Sequence, residues 1–304
     1  MTTSDTKDAG EAGRSVKSAE RVLDLLETIG TMPGGASFSG LSSELAIPKS
    51  SLHALLAVLL NRGYVDLDPV ARRYSLGIRA WETGQAYQRH HSVIGLAEPV
   101  LAGIVARVNE TAQLARLVGA ENVYLVKVDS THPLRLQSEV GTRLSAHATG
   151  VGKALLAQLG NEEVKARFPG PDLPVYTANT HGSTQALLAE LAETRLRGFA
   201  IDNEEYTPGV FCVAVPVHAG QDRASNAISV SVPVSRATVP ALSEALSLVA
   251  QGSLSISQRS GSRRADPRLS ALADPATAAE AIAALVESGR YRLGFATGAG
   301  QAVR

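Results

Sequence analysis

The sequence predicts an α+β protein of two domains, and three observations support this prediction. The chain has 304 residues, of which 44% are hydrophobic and 19% charged, which is typical of a globular protein with room for two cores. Residues 15–77 show three helix-like patterns followed by a hairpin-like pattern. Residues 110–256 alternate strand-like and helix-like segments, which predicts a domain with a central, mostly antiparallel sheet.

The composition and charge of the chain limit the classes of protein to which it can belong. The single cysteine, Cys212, excludes an internal disulfide and suits a reducing cytosol. The N-terminal stretch "MTTSDTKDAGEAGR" is polar and predicts a disordered arm over residues 1–14, not a signal sequence. No apolar run approaches the roughly 18–20 residues that span a bilayer, so we expect a cytoplasmic protein without a membrane partner. Lys+Arg and Asp+Glu both total 29, so any contact with DNA must come from locally placed cations.

The third helix pattern lies in "IPKSSLHALLAVLLNRGYV", residues 47–65. It follows an amphipathic helix in "SVKSAERVLDLLETIG" and a short helix in "SFSGLSSEL", for which Ser37 is the predicted cap. The segment "YVDLDPVARRYSLG" then predicts a β-hairpin with its turn at Asp68-Pro69. The third helix has an apolar stripe for the core, formed by Leu52, Leu55, Leu56, Leu59 and Leu60.

Helix, helix, turn, helix and hairpin in this order predict a winged helix-turn-helix over residues 15–77, whose third helix enters the major groove of DNA. The small outer face of that helix lets its axis approach the bases, and its first turns and the wing carry the polar and basic groups. The predicted DNA contacts are Lys49, Ser50, Ser51, His53, Arg72 and Arg73.

Residues 78–109 predict a long linker helix that Gly95 and Pro99 interrupt. The segments "AQLARLV", "NVYLVKVDS", "LRLQSEV", "VFCVAVPVH" and "AISVSVPVS" predict strands, and "TGVGKALLAQL", "STQALLAELAETRLRG" and "VPALSEALSLVAQGSLSIS" predict helices. Residues 257–304 form an Arg/Ala/Gly-rich tail, predicted to be partly disordered with one helix in "ADPATAAEAIAALVESG".

About four-fifths of the chain, residues 15–256, resembles the IclR family of bacterial transcriptional regulators. In the N-terminal part the resemblance rests on "SAERVLDLLE", "LAIPKSSLHALLAVLLNRGYV" and "RRYSLG". In the C-terminal part it rests on "LSAHATGVGKALLAQL", "LAETRLRGFAIDNEEYTPGVFCVAVPV" and "AISVSVPVSR". The resemblance implies operator DNA as a partner, a homodimer or a pair of dimers, and a GAF-like effector-binding domain over residues 110–256. The chain departs from the family at Ala54, where a long basic residue is frequent, and at Ala46, where a glycine is frequent.

The C-terminal domain offers groups that suit a small organic acid or sugar acid. The helix that starts at Gly150 and Val151 presents free N–H groups, and its dipole favours a carboxylate. Asp202 offers an acceptor for a ligand hydroxyl, and Ser229 and Ser231 alternate on one strand face. Lys153 is expected to close its helix turn or to pair with Glu204 or Glu205, and not to bind a ligand. The effector-binding positions that the resemblance implies are Leu144, Gly150, Val151, Asp202, Cys212, Ser229 and Ser231.

Other classes stay open as alternatives. A metal-responsive regulator is one, although seven scattered histidines and one cysteine show no ligand-spaced pair and no cofactor is implied. A sensor or interaction protein with a helix-turn-helix that does not bind DNA is another, because Ala54 leaves the middle of the outer face without a long side chain. An enzyme with Cys212 as nucleophile and His218 or His147 as base is disfavoured, because a cysteine inside a strand is expected to be buried.

Overall fold

The computed structural model describes residues 16–90, 92–133, 139–219, 223–262 and 266–289. The chain divides into two compact units, Met1–His90 and His91–Arg304. The arm predicted over residues 1–14 lies outside the described residues.

The N-terminal unit has the predicted order of helices and hairpin. Its elements are α1 (Lys17–Gly30), β1 (Ala36–Ser37), α2 (Phe38–Glu44), α3 (Lys49–Asn61), β2 (Val65–Leu67), β3 (Arg73–Leu76) and α4 (Ile78–His90). The strands form an antiparallel sheet in the order β1-β3-β2. The hairpin β2–β3 is the predicted wing. The strand β1 was not predicted, because two residues are too few to display a period of two.

The core of this unit forms where the helices bury their leucines. Leu52, Leu56 and Leu59 of α3 are buried against Leu25 of α1 and Leu41 of α2. Ser37 caps α2, since its Oγ accepts a hydrogen bond of 3.1 Å from the N–H of Gly40. Among the described residues no single helix is long and apolar enough to span a membrane, although the bent pair α2 and α3 passes that test when taken together.

The predicted linker helix is two helices, and its predicted interruptions were wrong. The helix α4 ends at His90, and α5 (Ser92–Val108) runs through both Gly95 and Pro99. Pro99 and Gly95 lie on the exposed side of α5, so water can satisfy the carbonyl that the proline leaves without a partner. The opposite side of α5 is held by burial of Ala97, Leu101 and Ile104 in the C-terminal core.

The C-terminal unit contains one six-stranded sheet, which is antiparallel throughout. Its strands are β4 (Thr111–Val118), β5 (Glu121–Val128), β6 (Arg143–Ser145), β7 (Ala200–Asn203), β8 (Val210–Val217) and β9 (Asn226–Pro233), in the order β6-β5-β4-β9-β8-β7. Four predicted strands are present as β4, β5, β8 and β9. The prediction for "LRLQSEV" falls partly outside the described residues, and its described end, Glu139 and Val140, is not a strand. The strands β6 and β7 were missed.

Helices cover both faces of this sheet. On one face α5 and α9 (Val239–Arg259) bury Val213, Ile228 and Val230 in the main core. On the other face α6 (Gly150–Leu156) packs Val151 and Leu155 against small residues of β7, β8 and β9. The helices α7 (Asn161–Arg167) and α8 (Thr184–Arg197) pack with Leu156 of α6 in a further cluster.

The C-terminal tail is more ordered than predicted. Besides the predicted helix, present as α11 (Pro275–Glu287), it contains α10 (Pro267–Leu272). Asp266 and Asp274 cap these helices, each directly before a proline at the first helical position. Leu269 and Ile282 are buried in the main core, so residues 266–289 belong to the packed C-terminal unit.

Candidate functional site

The first candidate site is the outer face of α3. Lys49, Ser50 and His53 are exposed and Ser51 is half-buried, while the leucines of the same helix face the core. Pro48 occupies the capping position with an extended backbone, so α3 begins at Lys49 with no side-chain cap on its first N–H groups. These groups and the neighbouring polar side chains therefore form one exposed surface that suits phosphate or base contacts.

The wing brings Arg72 and Arg73 to the end of the hairpin. Asp68 closes the turn, because its Oδ1 accepts hydrogen bonds of 2.8 and 2.9 Å from the N–H groups of Val70 and Ala71. These bonds lower the pKa of Asp68. Arg72 is exposed and adopts a left-handed backbone with φ +56°. Arg73 is also exposed, and its Nη1 donates a hydrogen bond of 2.8 Å to the carbonyl of Gly35.

The second candidate site is a cavity of about 650 Å³ on the α6 side of the C-terminal sheet. Four of the seven predicted effector positions line it, namely Leu144, Asp202, Cys212 and Ser231. The Cys212 Sγ lies 3.0 Å from the Ser231 Oγ and 4.0 Å from the Asp202 Oδ2, so β7, β8 and β9 present three adjacent polar groups to one space.

The other three predicted positions lie outside the cavity lining. Gly150 stands directly behind it, because a Cβ built there would lie 3.4 Å from the Cβ atoms of Cys212 and Ala214. Val151 is buried in the cluster under α6, and Ser229 is buried two residues along β9 from Ser231. The N-terminus of α6 nevertheless reaches the cavity, because its capping residue Thr149 is one of the lining residues. The role of this helix start as an anion site stays a prediction. The first turn of α6 is capped, since Thr149 Oγ1 accepts a hydrogen bond of 3.2 Å from the N–H of Gly152.

Several lining residues were missed by sequence reasoning. Tyr124 of β5 and Tyr206 in the segment after β7 contribute aromatic walls. Tyr124 could have been found from its inward position in the alternating burial of β5. Glu110 also lines the cavity and binds Arg236 through both carboxylate oxygens, at 2.5 and 2.8 Å. No local pattern signals that pair.

A buried ionic cluster lies beside the cavity. The Lys153 Nζ is 2.5 Å from Glu205 Oε1 and 3.6 Å from Glu190 Oε1, and Arg197 binds Glu190 at 2.5 Å. Burial pushes the pKa of Glu190 upward, but the charges of Lys153 and Arg197 outweigh it and hold that pKa below its usual value. The expectation that Lys153 meets Glu205 is confirmed. His147 is also held by protein, since its Nε2 lies 2.9 Å from the carbonyl oxygen of Pro174.

The Asp202 carboxyl and the Cys212 thiol are biased toward their protonated forms. Burial, and then the charge of Glu205, raise the pKa of Asp202 to about 8. Burial, and then the neighbouring Asp202, raise the pKa of Cys212 well above its ordinary value. A protonated thiol whose nearest polar groups are Ser231 and Asp202 is a poor nucleophile. Within the described residues no group of three or more His, Cys, Asp or Glu side chains could hold a metal ion.

A winged helix-turn-helix unit and a unit with a ligand-sized cavity define the class of this protein as a DNA-binding transcriptional regulator. Residues 18–69 match the family model described as the IclR helix-turn-helix domain, and residues 85–258 match that of the bacterial transcriptional regulator IclR C-terminal domain. The chain belongs to the IclR family.

Individual relatives agree with this assignment. The chain is 33% identical over 246 residues to the HTH-type transcriptional regulator XynR of Escherichia coli K12. The aligned region covers 81% of this chain and 98% of that protein. It is 30% identical to the transcriptional repressor IclR of the same organism, over 82% of this chain and 92% of that protein. The crystal structure of the Thermotoga maritima IclR superposes with a TM-score of 0.67 at 27% identity, covering 81% of this chain and all (100%) of that one.

Proposed function

We propose that this protein is a sequence-specific repressor that binds operator DNA through α3 and the wing, and that a small organic acid or sugar acid in the cavity controls this binding. The observation that carries the proposal is the cavity formed by Leu144, Asp202, Cys212 and Ser231, in a chain that also has an exposed recognition-type helix. Relatives named as repressors, among them the acetate operon repressor of Salmonella typhimurium, support the direction of control.

The DNA contacts are assigned by chemistry. Lys49, Arg72 and Arg73 bind phosphates, and Ser50, Ser51 and His53 reach base edges or phosphates from the first turns of α3. The small side chain of Ala54 allows close approach but reads no base by hydrogen bonding. Base recognition is therefore concentrated at the start of the helix.

The assembly is a homodimer or a pair of dimers in the cytoplasm. Two copies of α3 then occupy successive major grooves about 34 Å apart, on a near-palindromic operator. Ligand binding changes operator affinity by about 5- to 150-fold, the usual range of a coupling of about 1–3 kcal/mol between two sites. The ligand achieves this only by binding one arrangement of the protein better than another.

The test is operator binding measured by fluorescence anisotropy, with promoter fragments of neighbouring operons and a panel of organic and sugar acids. We expect one acid class to change the operator Kd, and Asp202→Ala to abolish this response while leaving DNA affinity intact. Lys165→Ala is the matched control, because Lys165 is a surface residue of the same unit that pairs with Glu162. DNA binding that no acid alters, or a response that survives in Asp202→Ala, would place control elsewhere.

A further inference from the structure

We propose that the Asp202 carboxyl keeps its proton and donates a hydrogen bond to the carboxylate of the effector, which is a monocarboxylic acid with an apolar body. This inference rests on the proposed function, because it concerns the ligand of the same cavity. It reverses the role expected from the sequence, in which Asp202 accepts a hydrogen bond from a ligand hydroxyl. It also makes Asp202 the residue that selects for a single negative charge.

The cavity walls offer no cation to an anionic ligand. The described residues that line the cavity include no lysine, arginine or histidine, and their ionisable carboxyl groups are Glu110 and Asp202. Arg236 is not among the described lining residues, and its guanidinium is engaged by both carboxylate oxygens of Glu110. An ionised Asp202 would repel a carboxylate ligand. Two carboxyl groups in contact are stable when they share one proton, and the resulting O–H···O⁻ bond is short and strong.

The surroundings of Asp202 favour a retained proton. Its Oδ1 accepts a hydrogen bond of 2.7 Å from the N–H of Glu205, and its Oδ2 faces the Cys212 Sγ at 4.0 Å, a weak partner. Oδ1 is thus engaged as an acceptor, which leaves Oδ2 to carry a proton toward a ligand. The backbone N–H groups of Glu205 and Tyr206 favour the ionised carboxylate, but burial and the charge of Glu205 outweigh them. The charged and titratable groups that interact with Asp202 are Glu205 from the segment after β7, Cys212 from β8, Tyr124 from β5 and Lys153 from α6, and Tyr206 contributes only its backbone N–H.

Lys153 is the single cation in that described set, and it is held by other carboxylates. Its ammonium lies 2.5 Å from Glu205 and 3.6 Å from Glu190, and Arg197 also binds Glu190. Two cations thus face two carboxylates in this cluster before Asp202 is counted. The His181 Nε2 also lies 3.7 Å from Glu205 Oε2, but burial and the charge of Lys153 lower the pKa of His181, which favours its neutral form. A third carboxylate in the same buried space lacks a compensating charge, which is the condition under which a buried acid stays neutral.

The remaining walls of the cavity determine which ligand body fits. They are mostly apolar, and the side chains that provide this surface are Tyr124, Leu144, Tyr206, Pro208, Val210 and Pro233. A cavity of about 650 Å³ accommodates a ring or a branched chain. A second carboxylate on the ligand would find no cation among the described lining residues, so we expect dicarboxylates to bind poorly.

The probe for this proposal is benzoate, which has no group that titrates above pH 6, compared with neutral benzamide and with the dianion terephthalate. Dissociation constants are measured by isothermal titration calorimetry on the full chain between pH 6.5 and 9.5. We expect the Kd of benzoate to be constant below about pH 7.5, and to rise roughly tenfold per pH unit once Asp202 ionises, with its pKa of about 8. Benzamide should show no such rise, and terephthalate should bind at least tenfold more weakly than benzoate.

The variant Asp202→Asn supplies the decisive comparison. Its amide still donates a hydrogen bond to a carboxylate but has no proton to lose, so its Kd for benzoate should not change with pH. Asp172→Asn, at an exposed aspartate of the same unit, should behave as the unaltered protein. A benzoate affinity that stays constant or increases up to pH 9.5, an Asp202→Asn variant that keeps the pH dependence, or no benzoate binding at any pH would overturn the proposal.

The two proposals fail in different ways. If benzoate binds with the expected pH dependence but no acid alters operator binding, the inference stands and the proposed function fails. If another acid releases the operator while benzoate does not bind, the function stands and the inference fails.

Discussion

Lys153 and Glu205 form an ion pair inside the C-terminal unit, with Nζ 2.5 Å from Oε1 and both side chains at most 3% exposed. The Glu205 N–H in turn bonds to Asp202, so this pair fixes the backbone that positions the acidic wall of the cavity. A buried pair of this kind adds little net stability compared with apolar residues, but losing one member leaves an uncompensated charge.

Lys153→Met should therefore destabilise the protein by about 3–5 kcal/mol, because Glu205 loses its buried cation while Glu190 keeps Arg197. Urea unfolding followed by circular dichroism measures this change. The double variant Lys153→Met/Glu205→Gln should recover part of the loss, since it removes the stranded charge. Lys165→Met at the surface should stay within about 0.5 kcal/mol. Equal losses in the single and double variants would contradict a role for the buried charge.

Stability should depend on pH through Asp202. Its pKa is about 8 in the folded protein, above the ordinary value of 3.8. The protonated Asp202 carboxyl therefore contributes fully to the free energy of unfolding at pH values below 3.8. That contribution is lost progressively as the pH rises to about 8. Asp202→Asn removes this term, so its stability relative to the unaltered protein should increase between pH 5 and pH 8 and then level off. Thermal unfolding at pH 5, 6.5 and 8 tests this, and a difference that shrinks over this range would show that the folded-state pKa is not raised.

The turn between α2 and α3 contains a correctable strain. Ala46 has φ +49°, a left-handed conformation that glycine adopts without the steric cost of a Cβ. Ala46→Gly should stabilise the protein by up to about 1 kcal/mol, even though it increases the freedom of the unfolded chain. Ala54→Gly, on the exposed face of α3, should instead destabilise it by about 1 kcal/mol. Chemical denaturation measures the change in the free energy of unfolding for both variants. If the two changes have the same sign, the explanation by backbone strain at Ala46 is wrong.

The wing should contribute a measurable part of the salt dependence of DNA binding. Arg72→Ala should weaken binding to specific and nonspecific DNA alike and reduce the slope of log K against log salt by about 0.9, the value for one lost phosphate contact. Arg73→Ala should also loosen the wing, because it removes the bond to the Gly35 carbonyl. Anisotropy titrations at several salt concentrations provide the slope, with Lys165→Ala as the control. A slope unchanged in Arg72→Ala would exclude this residue from the interface.

Gly152 should be intolerant of any side chain. A Cβ at this position would lie 2.2 Å from the carbonyl oxygen of Ala146, a backbone atom that cannot move without displacing α6. Gly152→Ala should therefore destabilise the protein by the overpacking cost of about 1–3 kcal/mol or more, which is measured as a lower melting temperature. Gly103→Ala in α5 is the matched control, because no described atom lies within 4 Å of its added Cβ. That variant should be neutral or slightly stabilising.

Local periodicity predicted most of the fold. The leucine stripe of α3 and the long strands β4, β5, β8 and β9 each carry enough residues for a pattern to emerge. The strands β1 and β6 have only two and three residues, so pairing partners define them and periodicity cannot. The continuity of α5 through Pro99 also depends on its buried side, which no local rule weighs.

The cavity was harder to predict than the fold. Four of its residues follow from the resemblance to the family, but no local pattern shows that α6 approaches β8 so closely at Gly150. Glu110 and Arg236 are 126 residues apart, and only the assembled sheet brings them together. The raised pKa of Asp202 likewise depends on its burial and on the charges around it, which only the folded chain brings together. The DNA contacts and the effector contacts stay predictions.

The lone cysteine of this chain has a practical consequence. Cys212 is the single thiol in the sequence, and it stands in the cavity wall with 8% of its surface exposed. A thiol-reactive dye can therefore label only this position, and slowly, because burial disfavours the thiolate. Any compound that occupies the cavity should slow the labelling further. The unaltered protein thus carries its own occupancy reporter, with which compound libraries can be screened before the operator is known.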